Sequence, residues 1–206
     1  LYYVLYTADT KSMTKTLDEW PKIKIHIQGG RVNGYYDVAR KSDSDYVQLL
    51  KKATHELFTV KSEHALFNFQ TDAYREVWPK TIDRSIEWFD SLTVWQQELM
   101  GLEDYKPSRF NNKLCAVTTT SGYQSAGNYT TNYVETYITN LLPYKNVMSG
   151  GDNVWGPAHE NGHVHQGTIN MIACSEVSNN LFSNRTLYGM GKYMSRGGKI
   201  SEIADA

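Results

Sequence analysis

Trp155-Gly156-Pro157-Ala158-His159-Glu160-Asn161-Gly162-His163-Val164-His165-Gln166 is the stretch on which the reading of this chain turns. On a helix, residues four apart project from one face, so His159 and His163 aim their imidazole nitrogens at a common point. Such convergence suits a divalent metal, and zinc in hydrolases takes three protein ligands while keeping a place for water. Glu160, beside the first histidine, is placed to act as general base toward that water. Pro157 fits an early helical position, where its missing N–H is no loss. Gly162 costs a helix about 1 kcal/mol relative to alanine, which implies that another backbone or a ligand passes close to it.

The sequence after this helix selects the class of the third ligand. A metzincin would need glycine three residues and histidine six residues beyond His163, but Gln166 and Ile169 stand there. A gluzincin draws a glutamate from a following helix instead. Gly167-Thr168 offers a break, Asn170 a cap, and Met171 to Ser183 a helical segment containing Glu176, with 12 residues between Glu176 and His163. Asn180, one turn later on the same face, is placed to orient Glu176 by hydrogen bonding.

Upstream, Leu1 to Tyr6 and Lys22 to Gln28 read as strands, the second because Ile23, Ile25 and Ile27 alternate with polar residues. Gly29-Gly30 and Asn33-Gly34 supply turn chemistry. A short helix follows over Asp43 to Ala53, and strands near Leu57 to Val60 and Ala65 to Phe69 complete an antiparallel layer. Beyond Phe69 the period changes to about 3.6. Thr71-Asp72 caps a helix through Tyr74 to Trp78, Pro79 interrupts it, and Ile82, Ile86, Phe89 and Leu99 mark one stripe of a longer helix ending near Gly101. Lys113 to Thr119 returns to strand composition, and Ser121 to Thr131 reads as a loop. The expected fold class is α+β: a β-rich N-terminal lobe (residues 1–70) followed by a mainly helical zincin lobe of the gluzincin type (residues 71–206). All 206 residues are expected to form one metallopeptidase domain, a fragment of a longer protein.

Bulk composition narrows the partners. Lys and Arg number 21 against 22 acidic residues, so no basic field favours nucleic acid or an anionic membrane. No apolar run approaches the roughly 20 residues that span a bilayer. Two cysteines, Cys115 and Cys174, make neither a disulfide framework nor a thiolate cage. An aromatic content of 13% is high enough to place rings against sugar or peptide as well as in the core.

The helix sequence quoted above, with Ser175-Glu176-Val177-Ser178-Asn179-Asn180 after it, resembles the enhancin-like metallopeptidases of peptidase family M60. The similarity lies in His-Glu, any residue, Gly-His, a nearby glutamine and a later Glu-Val with asparagine four residues after the glutamate. Weaker echoes occur in Ile25-His26-Ile27-Gln28-Gly29-Gly30 and Ala126-Gly127-Asn128-Tyr129. The resemblance implies an extracellular or surface-bound enzyme that cleaves mucin-like, O-glycosylated proteins. By the same resemblance His159, His163 and Glu176 hold Zn2+ and Glu160 is the base. The competing expectation is a catalytically inactive glycan-binding or adhesin module of the same fold.

Three further residues are candidates for substrate or oxyanion contact. His165 lies two residues past His163 and so points to another helix face. Trp155 is either a sugar platform or a ring packed under the helix start. Tyr129 is one of a set, with Tyr123, Tyr133 and Tyr137, from which a hydroxyl could stabilise a tetrahedral intermediate.

Overall fold

The structure is a computed structural model describing residues 22–102, 114–127, 129–191, 194–195 and 198–199. The expected strand over Leu1 to Tyr6 lies outside the described residues. The fold is α+β, built on one six-stranded mixed sheet with helices packed on it.

In chain order the elements begin with β1 (Tyr35–Asp37), α1 (Asp43–Lys52), β2 (Leu57–Lys61), β3 (Ala65–Gln70), α2 (Thr71–Val77) and α3 (Ser85–Leu99). Then come β4 (Leu114–Thr119), β5 (Gln124–Ala126), β6 (Thr130–Val134), α4 (Ile138–Leu141), α5 (Tyr144–Ser149), α6 (Asp152–His165), α7 (Ser175–Ser178) and α8 (Asn180–Gly189). The strands lie in the order β1-β2-β3-β4-β6-β5. Within this sheet the β2–β3 and β5–β6 pairs are antiparallel, and β1–β2, β3–β4 and β4–β6 are parallel.

The sheet corrects four expectations. It is mixed rather than antiparallel, and β4, β5 and β6 join it from beyond residue 70, so that position does not separate strands from helices. Ser121 to Thr131 is not a loop: Gln124 to Ala126 pairs with Thr131 to Tyr133 as the edge hairpin. Lys22 to Gln28 forms no strand, and Ile23, Ile25 and Ile27 are 55%, 50% and 68% exposed. Alternation describes a half-buried strand only where a sheet exists to bury it.

Period-two burial holds in β3, where Ala65, Phe67 and Phe69 are buried, and in β6, where Thr131 and Tyr133 are. Phe67 meets Phe89 of α3 edge-on at 5.0 Å, and Phe69 meets Tyr133 at 6.1 Å. Each such fully buried ring contributes roughly 1.5–3 kcal/mol. Ser42 closes α1 with a capping box, its hydroxyl accepting from the Asp45 N–H while Asp45 accepts from the Ser42 N–H. By contrast α2 starts at Thr71 itself, with Gln70 preceding it and no side-chain cap. Ile82 precedes α3 rather than lying on it.

Pro157 sits inside α6, not at its start, because Gly150 and Gly151, both at positive φ, let the chain turn into a helix beginning at Asp152. α6 packs on β5 and β6 on one side and on α3 and α8 on another. The candidate helix is thereby wedged between the sheet edge and two helices. No helix among the described residues is long and apolar enough to cross a membrane.

Candidate metal centre

Val154 and Ala158 turn into the core, which leaves His159, Glu160 and His163 half-buried on another face of α6, with Trp155 at the border between the two. The two imidazole rings stand 4.7 Å apart between centroids and nearly perpendicular, at 89°. Glu176, from α7, lies against both: its Oε2 is 2.9 Å from His159 Nε2 and 3.3 Å from His163 Nε2. One ligand atom from each of the three residues falls within 4.8 Å of the others, a span that fits one divalent ion. Both histidines present Nε2, and the His159 Nδ1 is buried without a partner.

Electrostatics separates the two carboxylates. Hydrogen bonding from His159, together with the charge of both imidazoles, holds Glu176 below the usual carboxylate range despite the opposing effect of burial. Burial pushes Glu160 up, and the neighbouring Glu176 adds to that, against the lowering influence of His159 and His163. One carboxylate is thus suited to holding a cation and the other to exchanging a proton.

Glu176 is 73% exposed at its side chain, so its position depends on what anchors α7. The expected helix from Met171 to Ser183 is interrupted: α7 has four residues, and α8 begins only after Asn179. Two amide side chains tie this turn to α6. Gln166 donates through Nε2 to the Ser175 carbonyl at 2.7 Å and to Ser178 Oγ at 2.7 Å, while its Oε1 faces His163 Nδ1 at 3.0 Å. Asn179, fully buried, donates to the His159 carbonyl at 2.6 Å. Asn179, not Asn180, therefore makes the supporting bond. Asn179 also explains Gly162, since a Cβ there would collide with its Oδ1 and lie 2.8 Å from Phe182 Cβ.

A third amide, Gln96 of α3, supports the helix from behind. Fully buried, it donates to the Ala158 carbonyl at 2.7 Å and accepts from Asn161 Nδ2 at 3.0 Å, and its Oε1 lies 3.0 Å from His165 Nδ1. His165 is accordingly half-buried and hydrogen-bonded to Gln96 rather than to the cluster, its pKa pushed down to about 4 by burial. Gln96 carries no signal in the sequence, because its partners lie 62 to 90 residues away.

A cleft of about 200 Å³ opens beside the cluster, lined by Tyr123, Gln124, Asp152, Trp155, His159 and Glu160 among others. Trp155 is 7% exposed, so it serves as core and as cleft wall together. Tyr129 is 82% exposed and is not part of that lining. Of the other tyrosines, Tyr133 is fully buried, and Tyr137 is buried with its hydroxyl donating to Asn153 Oδ1 at 2.8 Å. Tyr123, half-exposed and 4.7 Å from the Tyr137 ring, is the tyrosine that reaches the cleft.

Comparison with known proteins places this geometry. Residues 32–201 match the family described as peptidase M60, enhancin and enhancin-like. A search of curated proteins finds no match. Among solved structures, a metallopeptidase from Bacteroides thetaiotaomicron is 44% identical with a TM-score of 0.78, over 88% of this chain and 31% of its own. A metallopeptidase solved in complex with Tn antigen is also 44% identical, with a TM-score of 0.76, over 82% of this chain and 32% of its own. The M60 catalytic domain of Clostridium perfringens ZmpC, solved with the sialyl T antigen, is 18% identical with a TM-score of 0.59, over 79% of this chain and 33% of its own. That last likeness is one of fold alone. This chain spans about a third of the length of each of these structures. The chain belongs to the peptidase M60, enhancin and enhancin-like family.

Proposed function

We propose that this M60 chain forms the zinc-binding core of an endopeptidase that cleaves mucin-like, O-glycosylated proteins outside the cell or at its surface. The observation that carries the reading is the approach of Glu176 Oε2 to both Nε2 atoms, at 2.9 and 3.3 Å, from a separate element of the chain. Two imidazoles and one carboxylate are the ligand set of a gluzincin, and they would hold Zn2+ through His159, His163 and Glu176. Bound there, zinc supplies a Lewis acid that polarises a carbonyl and makes nearby water easier to deprotonate.

Glu160 acts on the protons. It takes one from the attacking water as the water oxygen bonds to the scissile carbon, and returns it to the amine nitrogen as the C–N bond breaks. β5 lies at the edge of the sheet with α6 packed on it. That edge suits an extended substrate, which gains main-chain hydrogen bonds by adding as a strand. Tyr123 and Trp155, on the cleft wall, are suited to contact with a sugar ring. The complex of a 44% identical metallopeptidase with Tn antigen supports a glycosylated substrate for this chain as well.

Glu160 also weighs against an inactive glycan-binding module, which has no use for a half-buried carboxylate beside the ligand set. The reading is tested by incubating the protein with one substrate in O-glycosylated and deglycosylated forms, with and without chelator. Cleavage of the glycosylated form alone, lost on chelation, is the expected result. Equal cutting of both forms would remove the glycan requirement, and chelator-resistant cutting would remove the metal.

A further inference from the structure

We infer that Gln166 is a positioning residue that fixes His163 in the Nδ1–H tautomer and so reserves its Nε2 for the ion. The inference rests on the zinc reading above and adds the device that sets one ligand's protonation pattern.

An imidazole that binds a metal through one nitrogen must carry its proton on the other, and a hydrogen bond to that other nitrogen decides which tautomer forms. His163 Nδ1 lies 3.0 Å from Gln166 Oε1, while His163 Nε2 faces Glu176. An amide could turn over and present its NH2 to Nδ1, which would select the opposite tautomer. Here it cannot. The other end of the amide lies 2.7 Å from the carbonyl oxygen of Ser175, an atom that only accepts, so that end must be the donor. Ser178 Oγ, also 2.7 Å away, accepts from the same NH2 group. Gln166 Oε1 is therefore an acceptor, and the Nδ1 it meets must carry the hydrogen.

Burial makes this decisive. Gln166 is 4% exposed, so water does not compete for the amide, and a flipped amide would leave two buried oxygens facing one another. The residue also lies at the end of α6, three residues past His163, and its NH2 grips the turn bearing Glu176. One side chain thus links the protonation of one ligand to the placement of another. His159 has no such partner: its Nδ1 is buried without a hydrogen bond, and what Asn179 holds is its backbone carbonyl.

The test compares Gln166→Met and Gln166→Glu with the parent protein, reading zinc affinity by competition with a chromophoric chelator at pH 7. Both variants lose the donor to Ser175, but only glutamate keeps an acceptor for His163 Nδ1. Methionine should weaken zinc about 10- to 100-fold, and glutamate, which keeps the acceptor but turns an oxygen toward the Ser175 carbonyl, should recover part of that loss. Parent-like affinity in Gln166→Met, or equal losses in the two variants, would overturn the assignment. Should the methionine variant not fold, nitrogen-15 NMR of the zinc-loaded parent decides. The expected signal is a slowly exchanging His163 Nδ1 proton with the metal at Nε2, and a metal at Nδ1 or a freely exchanging proton would sink the idea. A parent protein that binds no zinc at all would instead defeat the underlying zinc reading, and this inference would fall with it.

Discussion

The side-chain amide of Asn179 donates to the main-chain carbonyl of His159 at 2.6 Å, and the same side chain fills the space beside Gly162. α8 thereby approaches α6 at the point midway between the two histidines' turns. The ligand set depends on that approach, because Glu176 stands only three residues before Asn179 and has little burial of its own.

Gly162→Ala separates helix propensity from packing. Alanine gains about 1 kcal/mol in a helix interior. Its Cβ would meet Asn179 Oδ1 and Phe182 Cβ, however, and overpacking of this kind costs about 1–3 kcal/mol. The expected net result in urea unfolding is a loss of up to about 2 kcal/mol, with zinc affinity reduced as Glu176 is displaced. A stabilised variant would mean that α8 yields without cost.

Glu160→Gln keeps the shape of the side chain and removes the basic oxygen. Zinc content, measured by elemental analysis, should stay near one ion per chain, while turnover of a glycoprotein substrate should fall by about 100- to 10,000-fold. Loss of metal together with turnover would place Glu160 among the ligands instead.

How far the sequence reveals this site follows from how local each contact is. His159, Glu160 and His163 are legible because one helix fixes their spacing. Glu176 is legible as a nearby carboxylate, but the asparagine that ties its turn to α6 is not, because the i to i+4 rule assumes an unbroken helix. The helix breaks at Asn179, and the supporting role moves from Asn180 to Asn179. The β5–β6 hairpin is hidden for another reason. Its Ser, Gly, Tyr and Asn residues have loop composition, and it is held by the register of β6 on β4. Lys22 to Gln28 errs in the opposite direction, with strand-like alternation and three exposed isoleucines.

Glu176→Ala should remove the metal without unfolding the chain, since the side chain is 73% exposed and packs little. In the parent, saturating zinc should raise the unfolding free energy by about 2.7 kcal/mol at a free concentration 100 times Kd. The thermal midpoint should therefore rise with zinc and fall with chelator. In the variant the midpoint should scarcely respond to either. A full zinc response in the variant would show that the two histidines bind the ion with some other third ligand.

Asp37 provides a pH dependence remote from the metal centre. Its carboxylate is almost wholly buried at the end of β1, and it receives a hydrogen bond from Lys61 Nζ at 2.6 Å and another from the Ala39 N–H at 3.1 Å. Burial alone would raise its pKa, but these donors and the Lys61 charge outweigh burial and hold it below its ordinary 3.8. The folded chain therefore releases this proton more readily than the unfolded chain. The associated stability is fully present above pH 3.8 and is lost as pH falls through the lower folded value. Lys61→Met leaves the buried carboxylate without its nearest cation, with Arg40 Nε 3.9 Å away, and should cost about 2 kcal/mol at pH 7. Because the orphaned carboxyl then protonates at higher pH, the gap between parent and variant should narrow as the solution is acidified toward the carboxylate range. Urea unfolding of both proteins at pH 7, 5 and 4 measures that gap. A gap that stays constant across the series would mean that Lys61 acts through its packed methylene chain rather than through its charge.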